Sequence, residues 1–174
     1  ISKILGIPKE KVKVVLMPNG GGFGGKEDIS VQGHAALFSY LLQAPIRVAL
    51  TRPESLCMHP KRHPMHMEMS LGCDKKGKLT FVRAKIIGDT GAYASVGMKV
   101  LERAAGHATS VYSIPSVNIQ SKAVYTNNVP CGAMRGFGVN QINFAIESCL
   151  DELCVQGGFD RWQIRYDNAI KPGE

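Results

Sequence analysis

The residues best suited to chemistry lie together near the N-terminus, in a glycine loop over residues 20–27 with the sequence Gly-Gly-Gly-Phe-Gly-Gly-Lys-Glu. Glycine adopts positive φ without a steric penalty and lets a ligand approach the backbone closely. The apolar run at 11–17 predicts a partly buried strand before the loop, and apolar residues at near-helical spacing predict a buried helix after it, over about 28–43. Amides at a helix start are unpaired donors, so the arrangement indicates a site for an anion or an oxo group.

Two nucleotide-binding interpretations of the glycine loop fit poorly. The spacing Gly20-x-Gly22-x-x-Gly25 matches a dinucleotide-binding motif, but no acidic residue stands near position 45, where that motif needs one. A phosphate loop of the Walker type requires Ser or Thr after its lysine, and here Glu27 follows the lysine. A tight glycine turn that binds nothing is a further alternative on composition alone.

The rest of the chain mixes strand and helix patterns without a regular strand–helix–strand repeat. Residues 65–72 alternate methionine or leucine with polar residues, which predicts a strand whose methionines pack in the core. Turn-forming residues at 74–77 lead into an antiparallel partner at 78–88. Strands are also expected at 45–51 and 116–125, and helices at 99–108, 139–155 and 160–170, with a short one beginning near 52. The mixture predicts an α+β fold with mainly antiparallel strands and packed helices.

Composition excludes several classes of protein. The 174 residues, 44% hydrophobic and 20% charged, suit one domain with a hydrophobic core. No run of about 18 apolar residues exists, which excludes a transmembrane helix. The five cysteines are odd in number and lack C-x-x-C spacing, so they favour a reducing cytoplasm over disulfides, a zinc site or iron–sulfur ligands. The net charge of +7 is scattered along the chain, which favours a solvated surface over nucleic-acid binding.

Several isolated residues have a structural explanation that outweighs a catalytic one. His59, His63 and His66 are close in sequence, but intervening prolines and the lack of a fitting Cys or carboxylate disfavour a metal site. His63 is instead expected to be a hydrogen-bonded packing residue. Asp89 is expected to cap a loop, and Cys131 to be a small buried residue rather than a reactive thiol.

The glycine loop resembles the loop beneath the molybdenum centre in the xanthine dehydrogenase and aldehyde oxidase family. Other segments resemble motifs of that family in the same order, and Arg103 and Arg135 stand 32 residues apart, as in the xanthine dehydrogenases. The resemblance therefore extends over nearly the whole chain. The segments are Arg62-His63-Pro64, Asp89-Thr90-Gly91-Ala92-Tyr93, Leu101-Glu102-Arg103, Tyr125-Thr126-Asn127-Asn128 and Ala133-Met134-Arg135-Gly136-Phe137-Gly138.

The resemblance implies a role for particular residues. Glu27 and Arg103 would contact the substrate from opposite sides and Phe137 would stack on its ring. Such a set suits a purine, because a carboxyl group can hydrogen-bond ring nitrogens while a guanidinium donates to a carbonyl oxygen. Aldehyde oxidases of the family tend to have neutral residues in place of this Glu and Arg. Four further residues would contact the molybdenum–pterin cofactor: Gly22, Phe23, Gly24 and Arg135.

The resemblance also implies what lies outside this chain. The family hydroxylates its substrate with water as the oxygen source, and the glutamate that acts as base belongs to a later segment. Residues 1–174 are therefore expected to be an internal part of one molybdenum-cofactor-binding domain, truncated at both ends and inactive alone, with no catalytic residue and no direct metal ligand.

The cofactor implied is molybdenum–molybdopterin, with or without a cytosine nucleotide. Iron–sulfur clusters and FAD would belong to other domains or subunits, which would be partners of this chain together with the remaining molybdenum-domain segments and a heterocyclic small molecule. Neither nucleic acid nor a membrane is an expected partner. An aldehyde- or nicotinate-type hydroxylase, or a non-catalytic binding module that retains the cofactor loop, are the alternatives.

Overall fold

The computed structural model describes residues 1–173 and consists of six α-helices and three strands in that part of the chain. Within it, no helix is long and apolar enough to cross a membrane. The elements in chain order are α1 (Ser2–Leu5), a 3₁₀ turn (Lys9–Lys11), α2 (Gln32–Leu42), α3 (Arg52–Met58), β1 (Met65–Cys73), β2 (Leu79–Asp89), α4 (Gly97–Gly106), β3 (Ser116–Val124), α5 (Val139–Gly157) and α6 (Arg161–Asn168).

The strands form one mixed sheet in the order β1-β2-β3. β1 and β2 are an antiparallel hairpin, and the Asp74 carboxylate closes its turn by accepting the amides of Lys76 and Lys78 at 2.8 and 2.9 Å. β2 and β3 are parallel, and the chain crosses between them through α4. Parallel strands need such a crossover because both must run in the same direction. The α+β class is confirmed, with one antiparallel and one parallel pairing.

One face of the sheet is covered by α4 and α5, which bury the core. On α5 the side chains of Ile142, Ile146 and Leu150 recur every fourth residue and are all 0% exposed. Ile86 on β2 is likewise fully buried against α4 and α5. The methionines of β1 are partly buried against this cluster, which confirms that they are packing residues. The sheet and α5 therefore form the rigid layer of the chain.

Helix α6 is held against α5 by a charged network. Arg165 donates to Glu147 Oε2 at 2.8 Å and to Asp151 Oδ1 at 2.7 Å. The Tyr112 hydroxyl donates to Glu147 Oε1 at 2.6 Å. Burial, followed by this bond to Glu147, raises the pKa of Tyr112 well above its ordinary value, so the phenol keeps its proton. Tyr112 precedes β3, whereas Glu147 and Arg165 follow it. The network therefore joins the parts of the chain on the two sides of that strand.

The first third of the chain departs from the sequence prediction. Residues 11–17 and 45–51 form no strands, because no strand of the described chain lies alongside to pair with them. α2 exists but is shorter than expected, and it buries none of its residues. Two of its apolar side chains, Leu41 and Leu42, are more than half exposed, because only α1 makes substantial contact with the helix. The expectation of a buried helix was therefore wrong for this chain.

The packing of α5 makes a first prediction. Replacing Ile146 with Ala leaves a cavity between α5 and the sheet and should lower the free energy of unfolding by about 3 kcal/mol. Urea unfolding of the chain followed by circular dichroism measures this loss. Val155→Ala is the control on the same helix, because Val155 is 69% exposed and its truncation should cost less than about 0.5 kcal/mol. Equal losses in the two variants would contradict the assigned core.

Candidate functional site

The glycine loop is built from two consecutive turns rather than from a strand-to-helix junction. The amide of Gly25 donates to the carbonyl of Gly22 at 2.9 Å, and that of Glu27 to Gly24 at 3.3 Å. Asn19 closes the start of the loop, since its side-chain oxygen accepts the Gly21 amide at 2.8 Å. Helix α2 begins only at Gln32, so the expected placement of the loop at a helix start was wrong.

The loop rests on the segment 133–137 through a contact that only glycine permits. Gly24 has a φ of 90°, and a Cβ added there would come within 2.6 Å of the carbonyl group of Ala133 and 2.8 Å of the Met134 nitrogen. Two backbone segments thus lie directly against each other. On the same side, the guanidinium of Arg135 lies over the Phe23 ring at 5.5 Å from its centre. These contacts hold the loop as one wall of a cleft.

The cleft has a volume of about 310 Å³ and collects all but one of the residues for which the resemblance implies a substrate or cofactor contact. Glu27 and Phe23 come from the glycine loop, Arg103 from α4, and Arg135 and Phe137 from the segment before α5. These residues are separated by up to 114 positions in the sequence, between Phe23 and Phe137. Gly24 also lines the cleft, whereas Gly22 does not. Three residues of the motif at 133–138 line it too, although no role was predicted for them: Ala133, Met134 and Gly136.

The charged groups of the cleft are free to bind a ligand. In the described part of the chain, the side chains of Glu27, Arg103 and Arg135 form no ion pair and no hydrogen bond. Two guanidinium groups and one carboxylate give the cleft a net positive charge, which favours an anionic or electron-rich ligand. Phe137 has a φ of 51°, an uncommon conformation for a side-chain-bearing residue, and its half-buried ring stands at the edge of the cleft.

Asp89 joins the loop after β2 to the loop after β3. Its carboxylate accepts the Thr126 hydroxyl and the Asn128 side-chain amide, both at 2.6 Å, and the Gly91 backbone amide at 2.7 Å. These hydrogen bonds stabilise the charged form and lower the pKa of Asp89 below its ordinary value of 3.8. The expectation that Asp89 caps a loop is confirmed, and Thr126 and Asn128 are its partners.

His63 and Cys131 are buried structural residues near this junction. His63 is 2% exposed, and burial lowers the pKa of its ring below 6.5 against the opposing effect of Asp89 and Asp28. Among residues 1–173, its Nε2 has no hydrogen-bond partner, so the expectation of a hydrogen-bonded side chain was wrong at this atom. The Cys131 thiol is 3% exposed and donates weakly to the carbonyl of Arg62. Within residues 1–173, no group of three His, Cys, Asp or Glu is placed to hold a metal ion.

Known proteins resemble this chain over nearly its whole length. The family model described as the molybdopterin cofactor-binding domain matches residues 1–169. The chain is 42% identical over 173 residues to the nicotinate dehydrogenase large molybdopterin subunit of Eubacterium barkeri, and 41% identical over 172 residues to a probable xanthine dehydrogenase subunit of Bacillus subtilis. Both alignments cover 99% of this chain, which spans 41% and 23% of the lengths of these relatives.

Solved structures show the same fold. CO dehydrogenase from Oligotropha carboxidovorans superposes on 98% of the chain with a TM-score of 0.86 and 28% identity, the match spanning 22% of that protein. Aldehyde oxidoreductase from Desulfovibrio gigas covers 89% of the chain with a TM-score of 0.84 and 29% identity, over 17% of its own length. The chain belongs to the molybdopterin cofactor-binding domain family of the molybdenum hydroxylases, and its cofactor is molybdenum–molybdopterin.

The glycine loop suits such a cofactor. In the described chain, the backbone amides of Gly22, Phe23 and Gly24 donate to no protein acceptor. Free amides beside two guanidinium groups can donate to the oxo ligands and the phosphate of a molybdenum–pterin group. Gly24 brings the loop backbone directly against the backbone of Ala133 and Met134, where a side chain would not fit.

The capping role of Asp89 has a pH signature. Asp89→Asn removes charge-assisted hydrogen bonds and should lower the free energy of unfolding by about 1 kcal/mol at pH 7. Because the pKa of Asp89 is lowered on folding, its contribution is present above pH 4 and disappears as the pH falls through the lowered value. Urea unfolding at pH 7 and at decreasing pH measures the difference between the two proteins. A difference that persisted at the lowest pH would contradict this assignment.

Proposed function

We propose that this chain forms the cofactor-facing floor and the substrate-positioning wall of a molybdenum hydroxylase that acts on a purine or a related N-heterocycle. The observation that carries the proposal is the meeting of Glu27, Arg103 and Phe137 in one cleft, beside the free amides of the glycine loop. The cofactor, when bound, supplies the oxidation of a ring carbon with water as the oxygen source. The chain supplies the positions of the reactants.

Each of the three side chains has a distinct task towards a flat heterocycle. The Glu27 carboxyl group hydrogen-bonds ring nitrogens, and Arg103 donates to an exocyclic oxygen. A guanidinium also stabilises negative charge that develops on the ring when a nucleophile adds to it. Phe137 packs against the ring face and limits its rotation. Since Glu27 and Arg103 make no ion pair with each other, a substrate can enter between them without breaking one.

No residue of the cleft is assigned as the catalytic base. Glu27 is a substrate-positioning residue, and the glutamate that removes a proton is expected in a segment beyond this chain. The relatives are more than twice as long as the chain, which leaves room for that segment. The remaining molybdenum-domain segments and the iron–sulfur and FAD domains or subunits are the proposed partners, in a cytoplasmic enzyme.

A nicotinate-type hydroxylase is the second candidate. The relative from Eubacterium barkeri, 42% identical over nearly the whole chain, is named as part of a nicotinate dehydrogenase. Its substrate is also an N-heterocycle, and a carboxylate on the ring would suit the two guanidinium groups of the cleft, Arg103 and Arg135. An aldehyde substrate has less use for them, because it lacks the ring groups that a carboxylate and a guanidinium recognise.

The substrate assignment predicts the effect of neutralising Arg103. In the holoenzyme that contains this chain, Arg103→Met should lower kcat/KM for a purine about 100-fold, because a charge-stabilising donor is lost. Turnover of a simple aldehyde should fall far less. Steady-state kinetics with xanthine, nicotinate and an aldehyde measure the contrast, at equal molybdenum content.

Lys99→Met is the matched control, since Lys99 lies on the same helix and carries the same charge but does not line the cleft. It should leave all three activities close to those of the unchanged enzyme. Equal losses of purine and aldehyde turnover in Arg103→Met would overturn the substrate assignment, and a larger loss for nicotinate than for xanthine would favour the second candidate.

The cofactor assignment predicts that substitutions at two glycines of the same loop change the cofactor content differently. Gly24→Ala forces a Cβ onto the backbone of Ala133 at positive φ and should displace the loop. Its molybdenum and pterin content per chain should fall about tenfold or more, since second-layer changes around a metal site commonly cost that much affinity. Gly20→Ala is the control, because a Cβ there meets nothing within 4 Å. If Gly24→Ala retained the full molybdenum and pterin content, the glycine loop would not be the cofactor floor.

A further inference from the structure

The glycine loop is anchored to the rest of the cleft by Asp28, a residue that no motif marks. Its carboxylate accepts the Ser95 hydroxyl at 2.6 Å, across 67 positions of sequence. The other carboxylate oxygen lies against Gly132, where an added Cβ would come within 2.3 Å of it. Asp28 directly follows Glu27, so one residue links the substrate-facing carboxyl group to two separate loops.

The loop that receives Asp28 is itself firmly placed. Gly97, the first residue of α4, lies so close to Thr90 that an added Cβ would stand 2.3 Å from the Thr90 methyl group. Ser95 has a φ of 39°, a conformation that side-chain-bearing residues rarely adopt. A residue stays in such a backbone conformation only where the surrounding structure holds it there. The Ser95 hydroxyl therefore comes from a fixed point at the start of the helix that carries Arg103.

We propose that Asp28 is a positioning residue that sets the distance between Glu27 and Arg103 by binding Ser95. This inference rests on the proposed function of those two side chains. The glycine loop contains five glycines over residues 20–25 and would otherwise sample many backbone conformations. Its other contacts with the body of the cleft involve Gly24 and Phe23, which precede Glu27 in the chain. Asp28 holds the loop directly after Glu27.

The test is a double-mutant cycle in the holoenzyme. Asp28→Ala and Ser95→Ala should each raise KM for the heterocycle about tenfold with kcat nearly unchanged, as expected for the loss of one charge-assisted hydrogen bond that orients substrate-binding groups. The double variant should be no worse than either single variant, because both remove the same bond. Asp28→Asn keeps a side-chain oxygen that accepts the Ser95 hydroxyl and should restore KM.

Hydrogen exchange of the same proteins gives a second measurement that needs no substrate. Amides of residues 20–28 should exchange faster in Asp28→Ala and Ser95→Ala than in the unchanged protein, while those of α5 should not change. Ser39→Ala is the matched control, because it also removes a hydroxyl hydrogen bond, to the Ala44 carbonyl, in a part of the chain that does not line the cleft.

The outcomes separate this inference from the proposed function. Additive effects in the double variant, failure of Asp28→Asn to restore KM, or unchanged exchange at 20–28 would each overturn the positioning role. If the unchanged holoenzyme turned over no heterocycle, the proposed function would fail, and the exchange measurement would still decide whether Asp28 holds the loop.

Discussion

The site depends on one close contact, the approach of the Gly24 backbone to the backbone of Ala133 and Met134. A side chain at Gly24 would separate the two segments, and the amides of the glycine loop would no longer share a cleft with Arg135 and Phe137. The segment at 133–137 is itself held at both ends, because the Cys131 amide before it donates to the Thr90 carbonyl at 3.0 Å and α5 begins after it at Val139. The position of the glycine loop therefore depends on a segment that the sheet and α5 hold in place.

The elements that the sequence predicts well are those that bury one face within this chain. β1, β2 and α5 have regular apolar spacing, and their partners lie within the described residues, so local pattern and tertiary packing agree. Residues 11–17 and 45–51 carry a strand-like pattern but have no strand to pair with among the residues that the structure describes. A strand is stabilised by hydrogen bonds to the backbone of a neighbouring strand, and a pattern of side chains cannot supply them. Similarly, the described residues contain no surface that covers the apolar side chains of α2.

The residues of the candidate site also fall into those that the sequence predicts and those that it does not. Four residues that match motifs do meet in one cleft: Glu27, Arg103, Arg135 and Phe137. Asp28 and Ser95 could not be found this way. Their hydrogen bond joins two loops whose approach is decided by packing around Thr90 and Gly97, and nothing in the spacing of an aspartate and a serine 67 residues apart signals it.

The mixed sheet has a consequence for the order in which the chain folds. The β1–β2 hairpin closes a short turn and can form early, since loop closure over a few residues is fast. β3 pairs with β2 in parallel, so its docking requires α4 to be in place and closes a much longer loop, which costs more entropy. The segment 133–137 follows β3 in the chain. The cleft takes residues from the glycine loop, α4 and this segment, so it is complete only after contacts between distant parts of the sequence have formed, and we expect it to assemble later than the hairpin.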